Sequence, residues 1–411
     1  MKKFLLGTTA LVGLAAVSSG AMAGGAHNAA SASDVTANPG GLTVMVGGFI
    51  DVQHAVIDQE EAAGIISSST GASAAASVGN TKDAAFTNDA EIHITVAGST
   101  EDFDYGGVVE LQSAVSNDFE GEGTDADKVY IFVEGDEFGR VELGSNSGAS
   151  QTLEIDASNI ARATGGIEGD WWHYVDFDGI GAGTTNSTSG HFKIEPNLVV
   201  ADGDATTEDA NKITYYTPRI AGFQAGVSYT PDTGDVGTAA SITADNNGDF
   251  ENVWVGGVNY EIEAEGVGVA LAAVGEFGES EANNTEDLTA YSFGGKVEFE
   301  GFSLAGNWAD LGDSGLSTTA TEDEQSYWTV GGAFENGPYG ISATYIQSEQ
   351  VGAAGATGDT DELSNIVVGA DYQLAPGLTP YVEAAFFEFD EDSVSTDNEG
   401  SVVILGAELS F

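Results

Sequence analysis

The 411-residue chain contains no cysteine, and only 10 lysines and arginines stand against 66 aspartates and glutamates, a formal charge of −56. Without cysteine there is no disulfide framework and no thiolate metal site. With so few basic groups a phosphate backbone finds nothing to pair with, which excludes nucleic acid as a partner. After the first two dozen residues no apolar run approaches the roughly 18–20 residues of a membrane helix, so helical membrane proteins are excluded too. A β-barrel is not, because each of its strands shows only about ten residues of alternation.

The chain opens with "MKKFLLGTTALVGLAAVSSGAMA", residues 1–23. Two lysines, an apolar stretch from Phe4 to about Val17, and Ala21-Met22-Ala23 as a small-residue cleavage site make a secretory signal. Its removal takes Lys2 and Lys3 with it and leaves 8 basic residues against 66 acidic ones, a charge of −58. Residues 24–40 form a lead segment, and 41–411 read as one barrel domain because a single pattern repeats along them.

That pattern is alternation with period two, the mark of a strand with one apolar side. In "LTVMVGGFIDVQ", Leu42, Val44, Val46, Ile50 and Val52 oppose Thr43, Asp51 and Gln53. At the end of the chain, Val403, Leu405, Ala407, Leu409 and Phe411 oppose Ile404, Gly406, Glu408 and Ser410. Sixteen such segments fall between 41 and 411, and the connectors between them alternate long and short. Residues 57–88 are followed by the tight Ser99–Phe103 turn, 116–126 by "GDEFG", 146–209 by "PRIAG", and later 278–287 by "EGF". In an up-and-down barrel every second connection emerges on the same side, so one edge carries turns and the other loops. The expected fold is all-β, a 16-stranded antiparallel transmembrane β-barrel with short periplasmic turns and long extracellular loops. A soluble sandwich would explain the alternation but neither the long/short order nor the even count. Tyr215, Tyr229, Trp254, Trp328, Tyr345 and Phe411 supply interfacial aromatics on the apolar parity.

Four pieces carry a family resemblance: "GDEFGRVELGS" (135–145), "NKITYYTPRIAGFQAGVSYTP" (211–231), "VVGADYQLAPGLTPYVEAAF" (367–386) and the terminal Phe411. In this order, behind a signal peptide, the sequence resembles the general porins of Gram-negative outer membranes, of the alphaproteobacterial type, over nearly its whole mature length. The resemblance implies a water-filled channel for passive diffusion, a homotrimer in outer-membrane lipid and lipopolysaccharide, and a third loop, 146–209, folded into the barrel as a constriction. It also implies that Phe411 is the end read by the β-barrel assembly machinery during biogenesis.

Parity assigns Asp51, Glu91, His93, Glu110, Arg140, Glu142, Lys212, Lys296, Glu298 and Glu408 to the lumen wall. In the loop, Glu154, Asp156, Arg162, Glu168, Asp170, Trp171 and Trp172 are the lining groups expected, with the tryptophans alternatively an apolar plug that holds the loop. In the family a basic cluster on the wall opposes loop acids, and here Arg140, Arg162 and Lys212 are its available members. Eight basic residues do not make an arginine ladder, which shifts the expectation toward cation preference.

No cofactor is expected. "DGDATTEDAN" and "DNNGD" alternate carboxylates as calcium loops do but lack the spaced glutamate of an EF-hand, so loop-bound Ca2+ stays open beside plain solvated acids. The five histidines have no His or Cys partner at metal-ligand spacing. A substrate-specific channel, a barrel enzyme and a surface adhesin are the competing functions. The enzyme lacks a Gly-x-Ser-x-Gly elbow before a helix.

Overall fold

The computed structural model describes residues 33–34, 41–59, 82–112, 125–175, 193–198, 207–208, 210–237, 249–320, 325–351, 360–391 and 398–411. The signal at 1–23 and nearly all of the lead segment lie outside the described residues.

Sixteen strands build the wall: β1 (Thr43–Gln59), β2 (Ala84–Ser99), β3 (Asp104–Gln112), β4 (Asp125–Gly135), β5 (Gly139–Ser145), β6 (Asn211–Tyr216), β7 (Phe223–Asp232) and β8 (Phe250–Ala264), followed by β9 (Val267–Ser280), β10 (Leu288–Phe299), β11 (Phe302–Asp310), β12 (Ser326–Asn336), β13 (Tyr339–Val351), β14 (Thr360–Tyr372), β15 (Leu378–Glu391) and β16 (Asn398–Ser410). Each pairs antiparallel with the next, and β16 pairs with β1 from Gly400↔Gln59 to Ser410↔Phe49, closing the barrel. At the seam Gly48 and Phe411 exchange two backbone hydrogen bonds of 3.0 Å. A two-residue strand, Ser33–Asp34, continues the wall against Val46 and Met45, past the point where β16 ends.

All described connections at the edge that carries Phe411 are tight. Glu265–Gly266 and Glu300–Gly301 have φ of 54° and 80°, and 49° and 83°. Two successive left-handed residues match a type I′ turn, whose twist suits the flanking strands. The connections from β8 to β9 and from β10 to β11 are therefore two residues each. At the opposite edge β1 reaches Gln59 and β2 starts at Ala84, both running into the connector expected over 57–88. Alternation fades where the wall leaves the apolar layer, but the ladder of backbone hydrogen bonds continues into water.

The parity is plain on β16, where Val403, Leu405 and Leu409 point outward and Val402, Ile404, Glu408 and Ser410 are buried inside. Outward aromatics pair across strands, Tyr229 with Trp254 at 4.7 Å and Trp328 with Tyr345 at 5.0 Å between ring centroids. One sector departs from the simple rule. Leu363, Val367, Phe387, Phe389, Val402 and Ile404 are apolar yet face inward, and something must cover them. Leu405→Arg, near the middle of β16 on the outward face, is expected to cost about 2–4 kcal/mol of folding free energy in bilayers, measured by urea titration against the parent.

Candidate pore and its inward loop

The connection after β5 turns into the barrel. Helix α1 (Ala149–Leu153) lies on β7, β8 and β9, the turn Ser158–Ile160 on β11 and β12, the turn Gly166–Glu168 on β13 to β15, and Asp170–Tyr174 beside β16. A chain crossing the mouths of strands has no ladder of its own, so its amides need other acceptors. The wall supplies them as hydroxyls. Ala149 N donates to Ser228 Oγ (2.9 Å), Ala157 N to Thr329 Oγ1 (3.1 Å), Arg162 N to Ser342 Oγ (2.9 Å) and Ile167 N to Thr344 Oγ1 (3.1 Å). Loop hydroxyls donate to buried wall carboxylates in return, Ser150 to Glu276 (2.7 Å) and Thr164 to Glu383 (2.6 Å).

Two glycines give the loop its depth. A Cβ on Gly294 of β10 would overlap the carbonyl of Ile155, and one on Gly369 of β14 would come within 2.6 Å of the Arg162 carbonyl. The apolar inward sector is the seat of Trp171, which is fully buried with its ring 6.0 Å from Phe387 and 6.4 Å from Phe389. Its Nε1 donates to Ile167 O at 2.9 Å. Trp171 thus anchors the loop, while Trp172 is half-buried against His173. Tyr174 finishes the belt, its hydroxyl donating to Gln53 Oε1 (2.6 Å) beside Thr87.

The loop acids are held rather than free. The Glu154 carboxylate accepts from Tyr327 Oη and Asn307 Nδ2, both at 3.1 Å, and desolvation there pushes its carboxyl up to about 8. Desolvation likewise raises Asp156 to about 6, although the amide of Ser158 donates to it at 2.6 Å. Glu168 is raised by burial and by the charge of Asp156. Asp170 takes the side-chain amide of Gln53.

The basic residues depart from the expected arrangement. Arg162 reaches from the loop to the wall, with Nε and Nη2 on Asp371 (2.8 and 2.9 Å) and Nη1 on Glu335 (3.2 Å). Here the loop brings the cation and the wall the acids. Lys212 turns its ammonium to the carbonyls of Asn146, Glu208 and Ala210. Arg140 stays on the wall, paired with Glu142 (2.5 Å) and Glu134 (2.9 Å), 4.1 Å from the centre of the Phe132 ring. The three do not gather into one cluster, because each is satisfied by acceptors on its own part of the barrel.

The other parity residues lie on the inner face. Asp51 accepts from Tyr381 Oη at 2.5 Å, His93 meets Glu91 at 2.7 Å, Lys128 meets Glu110 at 3.4 Å, and Lys296 meets Glu298 at 3.4 Å. Glu408 takes the hydroxyl of Ser410. Toward the turn edge a recess of about 180 Å³ is bounded by Arg162, Glu298, Glu335, Asp371, Tyr381 and Glu408. Lys128, Glu335, Asp371 and Glu383 are functional-face residues that sequence reasoning passed over. All four sit on the inward parity of their strands, so the signal was present.

A raised carboxyl means that the docked loop holds a proton which a displaced loop, near the ordinary 4.5, releases. Docking is therefore strongest at low pH and weakens as pH rises from about 4.5 to about 8. Glu154→Gln is expected to flatten the decline of melting temperature over that window, checked by thermal scans across the pH series.

The sequence matches the profile of the Gram-negative porin family over residues 7–392. Curated relatives include a protein of Rickettsia felis, 26% identical over 69% of this chain and 75% of its own length, and one of Rickettsia conorii, 26% identical over 81% and 86%. Among solved structures, the anion-selective porin from Comamonas acidovorans superposes with a TM-score of 0.58 at 16% identity, covering 90% of this chain and all of that one. Salmonella typhi OmpF in complex with daunomycin gives 0.58 at 14% identity, covering 92% and 100%. The trimer form of Vibrio cholerae OmpT gives 0.55 at 10%, covering 90% and 100%.

Proposed function

The chain belongs to the Gram-negative porin family, an outer-membrane channel by family and fold, and on that premise we propose that it is a diffusion pore that prefers cations and small hydrophilic solutes. A barrel of sixteen strands is wide enough for an aqueous passage. The observation that carries the preference is the treatment of positive charge. Inside the barrel, Lys128, Arg140, Arg162 and Lys296 each meet a carboxylate, and the ammonium of Lys212 is spent on carbonyls. Asp51 is held by the Tyr381 hydroxyl and the Gln53 side-chain amide instead of a cation, so its charge is not cancelled locally. Acids along an aqueous path attract cations and repel anions. The fold likeness to an anion-selective porin does not oppose this, because selectivity resides in side chains and only 16% of them are shared.

Assembly as a homotrimer is part of the same reading, supported by the trimer described for Vibrio cholerae OmpT. So are contact of the outward face with lipid and lipopolysaccharide, and recognition of the Phe411 end during barrel assembly. Ca2+ held by acidic outer loops fits the composition as well.

The test is reversal potential of the refolded protein in a planar bilayer under a KCl gradient. Stepwise openings with a cation-selective potential are expected. Glu298→Gln combined with Glu408→Gln, both at the turn-edge recess, should move the potential toward zero without loss of the folded band on gels. An anion-selective parent, or a double variant identical to the parent, would sink the proposal that these acids set selectivity.

A further inference from the structure

Glu91 and His93 are two apart on β2 and therefore share its inward face. The ladder between β2 and β3 places Glu110 directly opposite His93. One donor atom from each of the three lies within 4.8 Å of the others, and His93 Nε2 is already 2.7 Å from Glu91 Oε2. We propose that Glu91, His93 and Glu110 form a binding site on the inner wall for a divalent first-row transition metal, Zn2+ foremost.

Three features support it independently. A tetrahedral Zn2+ with bonds of about 2.0–2.2 Å holds its donors about 3.3 Å apart, so the cluster needs to close by little more than rotation of glutamate side chains. Next, Glu110 is 93% buried, as its residue retains 7% exposure, and its Oε2 takes no hydrogen bond. Its ion pair with the Lys128 ammonium is 3.4 Å long, an incomplete satisfaction for a carboxylate removed from water. Finally, the charges leave room for a dication. Glu91, Glu110 and Asp127 against Lys128 sum to −2 when the imidazole is neutral, and Asp127 sits 3.6 Å from that ammonium.

The donor set points to the kind of ion. One imidazole with two carboxylates suits Zn2+ and its neighbours, whereas Ca2+ and Mg2+ take oxygen ligands only. Three protein ligands leave a coordination position for water. The imidazole, with 25% of its side chain exposed, is the side from which an ion enters. A ladder irregularity supports the arrangement. The pairing jumps from Glu110↔Lys128 to Leu111↔Ala126, so Asp127 is an extra residue in a bulge beside the cluster. Bulges of this kind re-aim side chains next to functional sites.

The site is tested by Zn2+ calorimetry on the full refolded protein, with excess Ca2+ present to occupy the acidic loops, and by Cu2+ electron paramagnetic resonance for imidazole nitrogen coupling. The inference stands whether or not the barrel conducts, since no current is read. Saturable Zn2+ binding is expected, weakened at least about tenfold by His93→Gln, with loss of the nitrogen coupling. The double variant Glu110→Gln with Lys128→Met removes a ligand together with its counter-charge and should weaken Zn2+ to a similar extent. Heat-modifiable mobility on gels reports folding of each variant. If the parent binds no Zn2+, or if a folded variant keeps the parent's affinity, the ion does not sit here. In the second case it belongs to loop carboxylates or to the His173–Asp170 pair.

Discussion

Hydrocarbon offers no hydrogen-bond partner to a backbone amide, and the rest of this molecule follows from that deficiency. Each of the sixteen wall strands is paired on both sides, and the seam between β16 and β1 completes the circuit. Closure by antiparallel pairs alone makes the count even, and the alternating faces divide the wall into an inner and an outer side. Inside, the same requirement returns in another form. The belt from α1 to Tyr174 cannot join the ladder, so Ser228, Thr329, Ser342 and Thr344 serve its amides with hydroxyl oxygens. These small polar residues on inward parity are there to satisfy the loop.

Positive charge in so acidic a chain is scarce, and the structure uses it as fastening. Arg162 buckles the belt onto Asp371 and Glu335 with three hydrogen bonds in fork geometry. Lys212 gathers three carbonyls near the base of the same loop. Apolar contact shares the task, since Trp171 occupies a patch that would otherwise face water. The acids that remain along the passage are the consequence of this allocation.

Much of the wall was legible because period two is a local property. All sixteen strands, their order and the outward-facing residues can be read from alternation and turn residues alone. The interior was harder, for reasons particular residues make clear. Phe387, Phe389, Val402 and Ile404 break the alternation, yet "EAAFFEF" and "VVIL" are runs apolar on both parities, the sign of a strand covered on both faces. Arg162 looked like part of a wall cluster because its partners, Asp371 and Glu335, lie about two hundred residues on and only the loop's path brings them near. His93 looked isolated because a search for His or Cys spacing cannot see Glu110, which meets it through strand register. Parity says which face a side chain takes, and only register says whom it meets there.

The density of fastenings on the belt also bears on how solutes are sorted. Between Ala149 and Tyr174 the chain is tied to the wall every few residues, by hydroxyl, carboxylate, guanidinium or aromatic ring. No span of that stretch is left long enough to flap. For the diffusion pore proposed above, an aperture edged in this way is a mesh of fixed gauge: flux through it would scale with the concentration difference, and solutes would divide sharply by girth, with little of the graded leakage a hinged flap allows.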